Sequence, residues 1–312
     1  MKISIITPSY SQGQYIEETI ISVIEQNFPD LEYIIIDGGS TDSSVEVIKK
    51  YAKDLTYWIS EPDHGQSAAI NKGFKKATGE IIGWINSDDL YMPETLKTVS
   101  HLFEKNPDVD LIYGDVINFH ENGKEEYYSV KIFNPKDFIS MNTVHQPSVF
   151  WRRKLLNDIG PLDESLNYFM DYDLWMRVFF KYKTLKISQP LSKFRIHQNS
   201  KTYNNPPEMY LEYRKVLSAF FNSFEEPKLT DKLKTLDIYS NEMNKKYDFP
   251  KMDIPLKKML NSYIHQSAVQ EYSWKNIKKA NNLFFSSMTE PSILTNLAFL
   301  LKNNLGIKYL RP

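Results

Sequence analysis

Cysteine is absent from the 312 residues, which excludes disulfide frameworks, zinc–thiolate sites, iron–sulfur clusters and thiol nucleophiles. Any metal would rest on carboxylates, imidazoles or water, a donor set suited to Mn2+ or Mg2+. An excess of one charge is also missing: 38 Lys and Arg stand against 39 Asp and Glu, a formal net charge of −1. That balance argues against a dominant non-specific nucleic-acid role, and no nucleic-acid partner is expected. No apolar run approaches the ~18 residues of a spanning helix. The chain opens on a strand-like run, residues 2–7, without a charged segment, apolar stretch and cleavage site, so a cytoplasmic location is expected. Internal repeats and low-complexity segments are lacking. What remains, 41% hydrophobic and 25% charged, is an ordinary soluble composition.

Within the first hundred or so residues, strand and helix patterns alternate. Short apolar runs at 3–6, 33–36, 55–59 and 80–85 read as strands. Helical spacing covers 15–26, 45–51, 66–77 and a segment opened by Pro93 that runs to Lys105. Such alternation specifies an α/β layer with a mostly parallel, Rossmann-like central sheet. From Val109 to Phe133 longer strands flank Glu121-Asn122-Gly123-Lys124, where Asn-Gly signals a hairpin. A helix at 171–181 and short strands at 185–187 and 191–196 follow. After Asn204-Asn205-Pro206-Pro207 strand signals cease, which divides the chain into a catalytic domain over 1–205 and a helical C-terminal region over 206–312. Helices are expected there at 208–224, 229–246, 255–264, 274–287 and 291–303.

Ligands of an open parallel sheet bind outside the carboxyl ends of its strands. The first strand ends in Thr7-Pro8-Ser9-Tyr10, the second in Asp37-Gly38-Gly39-Ser40-Thr41-Asp42, the third in Glu61-Pro62-Asp63-His64-Gly65-Gln66 and the fourth in Asn86-Ser87-Asp88-Asp89. Each alone reads as a cap or turn; together they place acids on the edge where a site belongs. Asp88-Asp89 is the sharpest pair, because adjacent carboxylates repel unless a divalent cation lies between them and a phosphate. No G-x-G-x-x-G and no G-x-x-x-x-G-K-S/T follows any strand, which demotes NAD enzymes and P-loop NTPases. The glycine-rich opening of sugar nucleotidyltransferases is missing as well.

The stretches Ile5–Tyr10, Ile36–Asp42, Asp63–Glu80 with Asn71, Gly73, Ala77 and Gly79, and Trp84–Asp89 are followed by His145-Gln146-Pro147-Ser148, Phe169–Arg177 and Phe194–Ser200. Over roughly the first two hundred residues this series resembles the family-2 glycosyltransferases, inverting enzymes of the GT-A fold. The resemblance implies metal-dependent transfer of a sugar from a nucleotide-diphosphate donor to a hydroxyl of a glycan or lipid-linked glycan. UDP, the commoner nucleotide in the family, is the expected carrier, and surface polysaccharide assembly the expected setting. By the same resemblance Pro8 and Tyr10 would lie against the base, Asp37 would accept a hydrogen bond from it, and Asp63 would face base and ribose. Asp88 would approach ribose and metal, Asp89 would ligate the metal as the last acid of a DXD-type motif, and His197 would be a further ligand. Asp171 matches the aspartate of the family's Glu-Asp base motif, although Met170 replaces the glutamate.

The chemistry asks for such a set: a cation offsets charge on the departing diphosphate, and a carboxylate takes the acceptor's proton during one inverting displacement. Asp173 reads as a helix N-terminal cap, or else as a residue of the acceptor cleft or its loop. His145 lines the acceptor cleft or orders the loop before Gln146, and Trp84 and Trp175 read as core. Trp151, beside Arg152 and Arg153, reads as surface. Residues 256–312 carry eight Lys and Arg against two Glu, with an apolar stretch over 293–305 followed by Tyr309 and Arg311. Such a region packs as helix on the catalytic domain or a second subunit, or docks peripherally on an anionic membrane. A non-catalytic nucleotide- or glycan-binding module and a nucleotide-sugar hydrolase stand as alternatives.

Overall fold

The structure is a computed structural model that describes residues 1–140, 144–201, 203, 206–243, 245–249 and 254–287. Nine strands form one sheet: β1 (Ile3–Ser9), β2 (Leu31–Asp37), β3 (Tyr57–Ser60), β4 (Ile81–Trp84), β5 (Leu90–Tyr91), β6 (Leu111–His120), β7 (Glu125–Tyr128), β8 (Val149–Arg152) and β9 (Thr184–Ile196). The order is β3-β2-β1-β4-β8-β6-β9-β5, with β7 paired to β6. β1 to β4, β6 and β9 run one way; β5, β7 and β8 run the other. The helices are α1 (Ile16–Ile24), α2 (Ser44–Lys50), α3 (Gln66–Lys76), α4 (Thr95–Lys105), α5 (Pro135–Ser140), α6 (Leu155–Ile159), α7 (Met170–Phe179), α8 (Pro207–Asn222), α9 (Pro227–Thr235), α10 (Leu256–Ser273) and α11 (Ile277–Ser286).

β1 and β2 are buried on both faces, as strands inside a parallel sheet are, and the polar pair Ser4 and Glu32 is satisfied there by a mutual hydrogen bond. Ile3, Ile5, Tyr33 and Ile35 pack with Ile16, Ile20 and Val23 of α1, Ile48 of α2 and Phe103 of α4. α3 covers the opposite face, where a Cβ on Gly73 would come within 2.4 Å of Ile6 Cγ2, so only glycine allows that approach. Phe74, Trp84, Trp151 and Trp175 form an aromatic cluster in which Trp151 meets Trp84 and Trp175 edge-on at 6.2 and 5.7 Å.

Trp151 is therefore core and not surface. β8 inserts antiparallel between β4 and β6, which pairs both of its edges, and Phe74 of α3 and Trp175 of α7 cover the indole. Arg152 and Arg153 spend their guanidinium groups on the carbonyls of Val109, Phe103 and Gly79. The two late strands of the sequence reading are one strand, β9, with a bulge opposite Gly114 and Asp115. Pro93 lies outside α4, whose N-cap Glu94 adopts a left-handed φ of 63°. The helix expected over 229–246 stops at Thr235, where Asp237 turns left-handed with φ 54°.

The chain divides into two compact units, Met1–Ile132 with Thr143–Glu212, and Phe133–Asn142 with Tyr213–Pro312. In the second unit Phe220, Phe224, Tyr247 and Phe249 pack ring on ring. Glu271 there is held by Arg214 and Lys279, whose ammonium also reaches Asp237. The apolar stretch over 293–305, Tyr309 and Arg311 lie outside the described residues. No helix among the described residues is long and apolar enough to cross a membrane.

Candidate functional site

At the carboxyl edge, parallel register aligns Ser9, Asp37 and Ser60 in one row. Asp37 is fully buried and forms the hub of this row. Oδ1 accepts from Ser60 Oγ at 2.7 Å and from the N–H groups of Ser40 and Gly39 at 2.8 and 3.1 Å. Oδ2 accepts from Ser9 Oγ at 3.0 Å and Ser40 Oγ at 2.6 Å. Five donors occupy the two oxygens, so Asp37 fixes the loop and has no free lone pair to offer a nucleobase. The same loop holds its neighbour: the N–H groups of Ser11, Gln12 and Gly13 donate to Ser40 Oγ, Ser44 Oγ and Asp42 Oδ2 at 2.8, 2.9 and 2.9 Å. Pro8 is buried in β1, while Tyr10, just beyond it, is 67% exposed and presents an open ring.

Asp63 is half-buried and accepts the N–H of Gly65 at 2.8 Å. Its carboxylate covers Gly38, where a Cβ would stand 3.0 Å from Oδ2 and 3.2 Å from Oδ1.

The loop after β4 meets the end of β9. His197 Nε2 lies 3.0 Å from Asp88 Oδ2, with His197 buried and Asp88 one-fifth exposed. Arg195 donates its backbone N–H to Asp89 Oδ1 at 3.0 Å, Nε to the Asp88 carbonyl at 2.8 Å and Nη2 to Glu18 at 2.8 Å. Its guanidinium sits between the rings of Tyr15 and Phe119, at 4.8 and 4.4 Å. Tyr15 also packs on His197 with centroids 4.5 Å apart and donates to Glu121 of the β6–β7 turn at 2.7 Å. Sequence reasoning gave Arg195 and Tyr15 no role, although each stands beside a residue that it did single out.

Asp89 is buried, and its Oδ2 has no hydrogen-bond partner. Burial first, and the charge of Asp88 second, raise its carboxyl well above the usual carboxylate range. His197 Nδ1 is likewise buried without a partner. Both atoms keep an open coordination or hydrogen-bonding position. Carboxylate oxygens with an imidazole fit Mn2+ or Mg2+ by donor type. Among the described residues no group of three or more acids and histidines is already gathered in ligating geometry.

Asp171 is half-buried in the first turn of α7 and accepts the N–H of Tyr172 at 2.7 Å. Asp173 is not a helix cap and does not face a cleft: it is fully buried and pairs with Arg177 Nη2 at 2.9 Å. The N-cap position belongs to Phe169. His145 lies between Tyr128 and Phe194, with ring centroids 4.6 and 5.8 Å away, and burial pushes its pKa down to about 4. Beside it Gln146 Nε2 donates to the Trp84 carbonyl at 2.5 Å.

Comparison with known proteins gives the family and the fold. Residues 4–160 match the family model described as glycosyl transferase family 2. An uncharacterised glycosyltransferase of Rickettsia typhi is 28% identical over 242 residues, 73% of this chain and 74% of the relative. Staphylococcus aureus TarS, solved with UDP-GlcNAc, superposes with a TM-score of 0.62 at 17% identity, covering 97% of this chain and 81% of that one. Against a longer TarS structure the match covers 93% of this chain and 50% of that one. The mannosyltransferase PcManGT of Pyrobaculum calidifontis, solved with GDP-Man and Mn2+, gives a TM-score of 0.57 at 17% identity, covering 97% of this chain and 81% of that one.

Proposed function

Because the chain belongs to glycosyl transferase family 2, we propose that it moves a sugar, with inversion and with the help of a divalent cation, from a nucleotide diphosphate to an acceptor hydroxyl. The observation that carries the reading is the contact of Asp88 with His197, next to Asp89 held by the Arg195 N–H, where the loop after β4 meets the end of β9. UDP is the nucleotide favoured by the resemblance, and TarS, solved with UDP-GlcNAc, supports that choice, while GDP-Man in PcManGT keeps GDP within the test.

The open ring of Tyr10 suits stacking on the base, with the buried Pro8 fixing the strand end before it, and Asp63 suits the base's hydrogen-bonding edge or the ribose. Asp37 serves the nucleotide indirectly, by holding both loops. Asp89, with Asp88 and His197 beside it, would hold Mn2+ or Mg2+. Such a cation stabilises negative charge on the departing diphosphate. Arg195 orders both acids through Asp89 Oδ1 and the Asp88 carbonyl. Asp171 takes the proton from the acceptor hydroxyl as that oxygen attacks the anomeric carbon opposite the leaving phosphate. An α-linked donor thus gives a β-linked product. The basic composition of residues 256–312 supports an acceptor presented at an anionic membrane, as a lipid-linked glycan of surface polysaccharide assembly would be.

Nucleotide release by the full chain tests the reading, with UDP-, GDP- and dTDP-sugars, Mn2+ and chelator controls. Release from one donor, abolished by EDTA and by Asp89→Ala, is expected. Failure of every nucleoside diphosphate to bind in the presence of Mn2+ would overturn it. Asp171→Asn should abolish transfer while leaving nucleotide binding intact.

A further inference from the structure

The loop between α6 and α7 is pinned along its length by side chains from outside it. Arg177 Nη1 donates to the carbonyls of Ile159, Gly160 and Pro161, the last two at 3.2 and 2.9 Å. Asn71 of α3 grips Leu162 twice, donating to its carbonyl at 3.0 Å and accepting its N–H at 2.8 Å. Ser67 Oγ donates to the Leu166 carbonyl at 3.1 Å. Glu212 completes the row: its carboxylate accepts the N–H groups of Asn167, Tyr168 and Phe169 at 2.8, 2.7 and 3.2 Å, and the residue is only 7% exposed.

Three successive backbone donors converge on one buried carboxylate immediately before α7, and Asp171 stands two residues beyond Phe169. A carboxylate satisfies all three because it only accepts; an amide in its place would turn an NH2 against at least one N–H. The contacts are charge-assisted and lie at the positive end of α7, which strengthens them. Nothing in the sequence near Glu212 announces this, since its partners lie 43 to 45 positions away.

We propose that Glu212 is a positioning residue that sets the approach of Asp171 to the acceptor hydroxyl. The inference rests on Asp171 being the general base. Misplacement of a reacting group by about 1 Å costs on the order of 100-fold in rate, so a clamp on the preceding backbone acts on turnover more than on donor affinity.

The test compares the full-length wild type, Glu212→Gln, Asp171→Asn and the double variant. Turnover of UDP-GlcNAc and of GDP-mannose with Mn2+ is read together with amide hydrogen exchange. Glu212→Gln is expected to lower kcat about 10- to 100-fold with donor KM within about twofold, and to speed exchange over 162–170 while β1 to β4 stay protected. In the Asp171→Asn background the same substitution should cost less than about threefold, because the group that it positions is gone. Unchanged exchange over 162–170, unchanged kcat, or losses that multiply in the double variant would each overturn the positioning role. If Asp171→Asn alone keeps wild-type turnover, the base reading falls and takes the proposal with it. Should Glu212→Gln fail to fold, Glu212→Asp, which keeps the charge on a shorter arm, takes its place in the same comparison with an intermediate loss expected.

Discussion

His197 Nε2 lies 3.0 Å from Asp88 Oδ2, and with the two bonds of Arg195 this contact joins the end of β9 to the loop after β4. It brings the two ends of the proposed cation site together before any ligand arrives.

His197→Ala should therefore weaken the cation rather than the fold of the sheet. An apparent Mn2+ affinity lowered by about 10- to 100-fold is expected, read by titrating Mn2+ into the nucleotide-release reaction. An unaltered Mn2+ titration would place the cation elsewhere.

Gly38→Ala introduces a methyl group 3.0 Å from Asp63 Oδ2, tighter than an ordinary contact. Asp63 must shift by a few tenths of an ångström, whereas the backbone there needs no left-handed conformation. Nucleotide affinity should fall by roughly tenfold, the loss of about 1.4 kcal/mol that one displaced polar contact brings. Calorimetric titration with UDP would show it, beside a thermal midpoint close to that of the wild type. Equal affinities in the two proteins would remove Asp63 from the nucleotide.

Glu32 predicts an acid limb of stability. Burial alone would raise its carboxyl, but Lys2, Ser4 and both donors of Thr78 outweigh that and hold it at about 2. A depressed acid contributes stability above its unfolded value of about 4.5, and the contribution drains away as pH falls toward about 2. Urea midpoints taken from pH 6 to 3 should decline less steeply in Glu32→Gln, which begins lower.

The sign for His145 is also one of loss on acidification, with a different window. Its folded pKa of about 4 lies below the unfolded value of about 6.5, so unfolding takes up a proton between the two. Stability should drop as pH falls from about 6.5 toward 4, and His145→Phe should flatten that part of the curve. Turnover near neutrality should show no imidazole titration from this residue, which stays uncharged there.

Much of this was legible because parallel strands leave a plain trace. Tyr33 to Ile36 is apolar on both faces and Ile3 to Ile6 is interrupted only by Ser4, and a sheet built from such runs collects polar residues at one edge. On that trace Asp88 and Asp89 stand out at the edge, while His197 enters through the family resemblance. The sequence reading missed what depends on strand order. Trp151 becomes core only because β8 inserts between β4 and β6, and no local pattern encodes that insertion. Asp171 and Asp173 are both acids of one first turn; their different surroundings come from Arg177, a full turn further on. The base-acceptor role of Asp37 comes from the family resemblance, and its donors Ser9, Ser40 and Ser60 come together only when the strand ends align.

The contact between Asp88 and His197 spans 109 positions of chain. On a ribosome that adds about 5–20 residues per second, the acids after β4 are exposed for roughly 5–20 s before their histidine is synthesised. Pairing of β9 with β6 is thus the event that completes the site, and a chain truncated at Ile159 would keep both acids and lack Arg195 and His197. Such long-range closure belongs to slow-folding topologies, so recovery of cation binding after denaturation should lag behind recovery of helical signal.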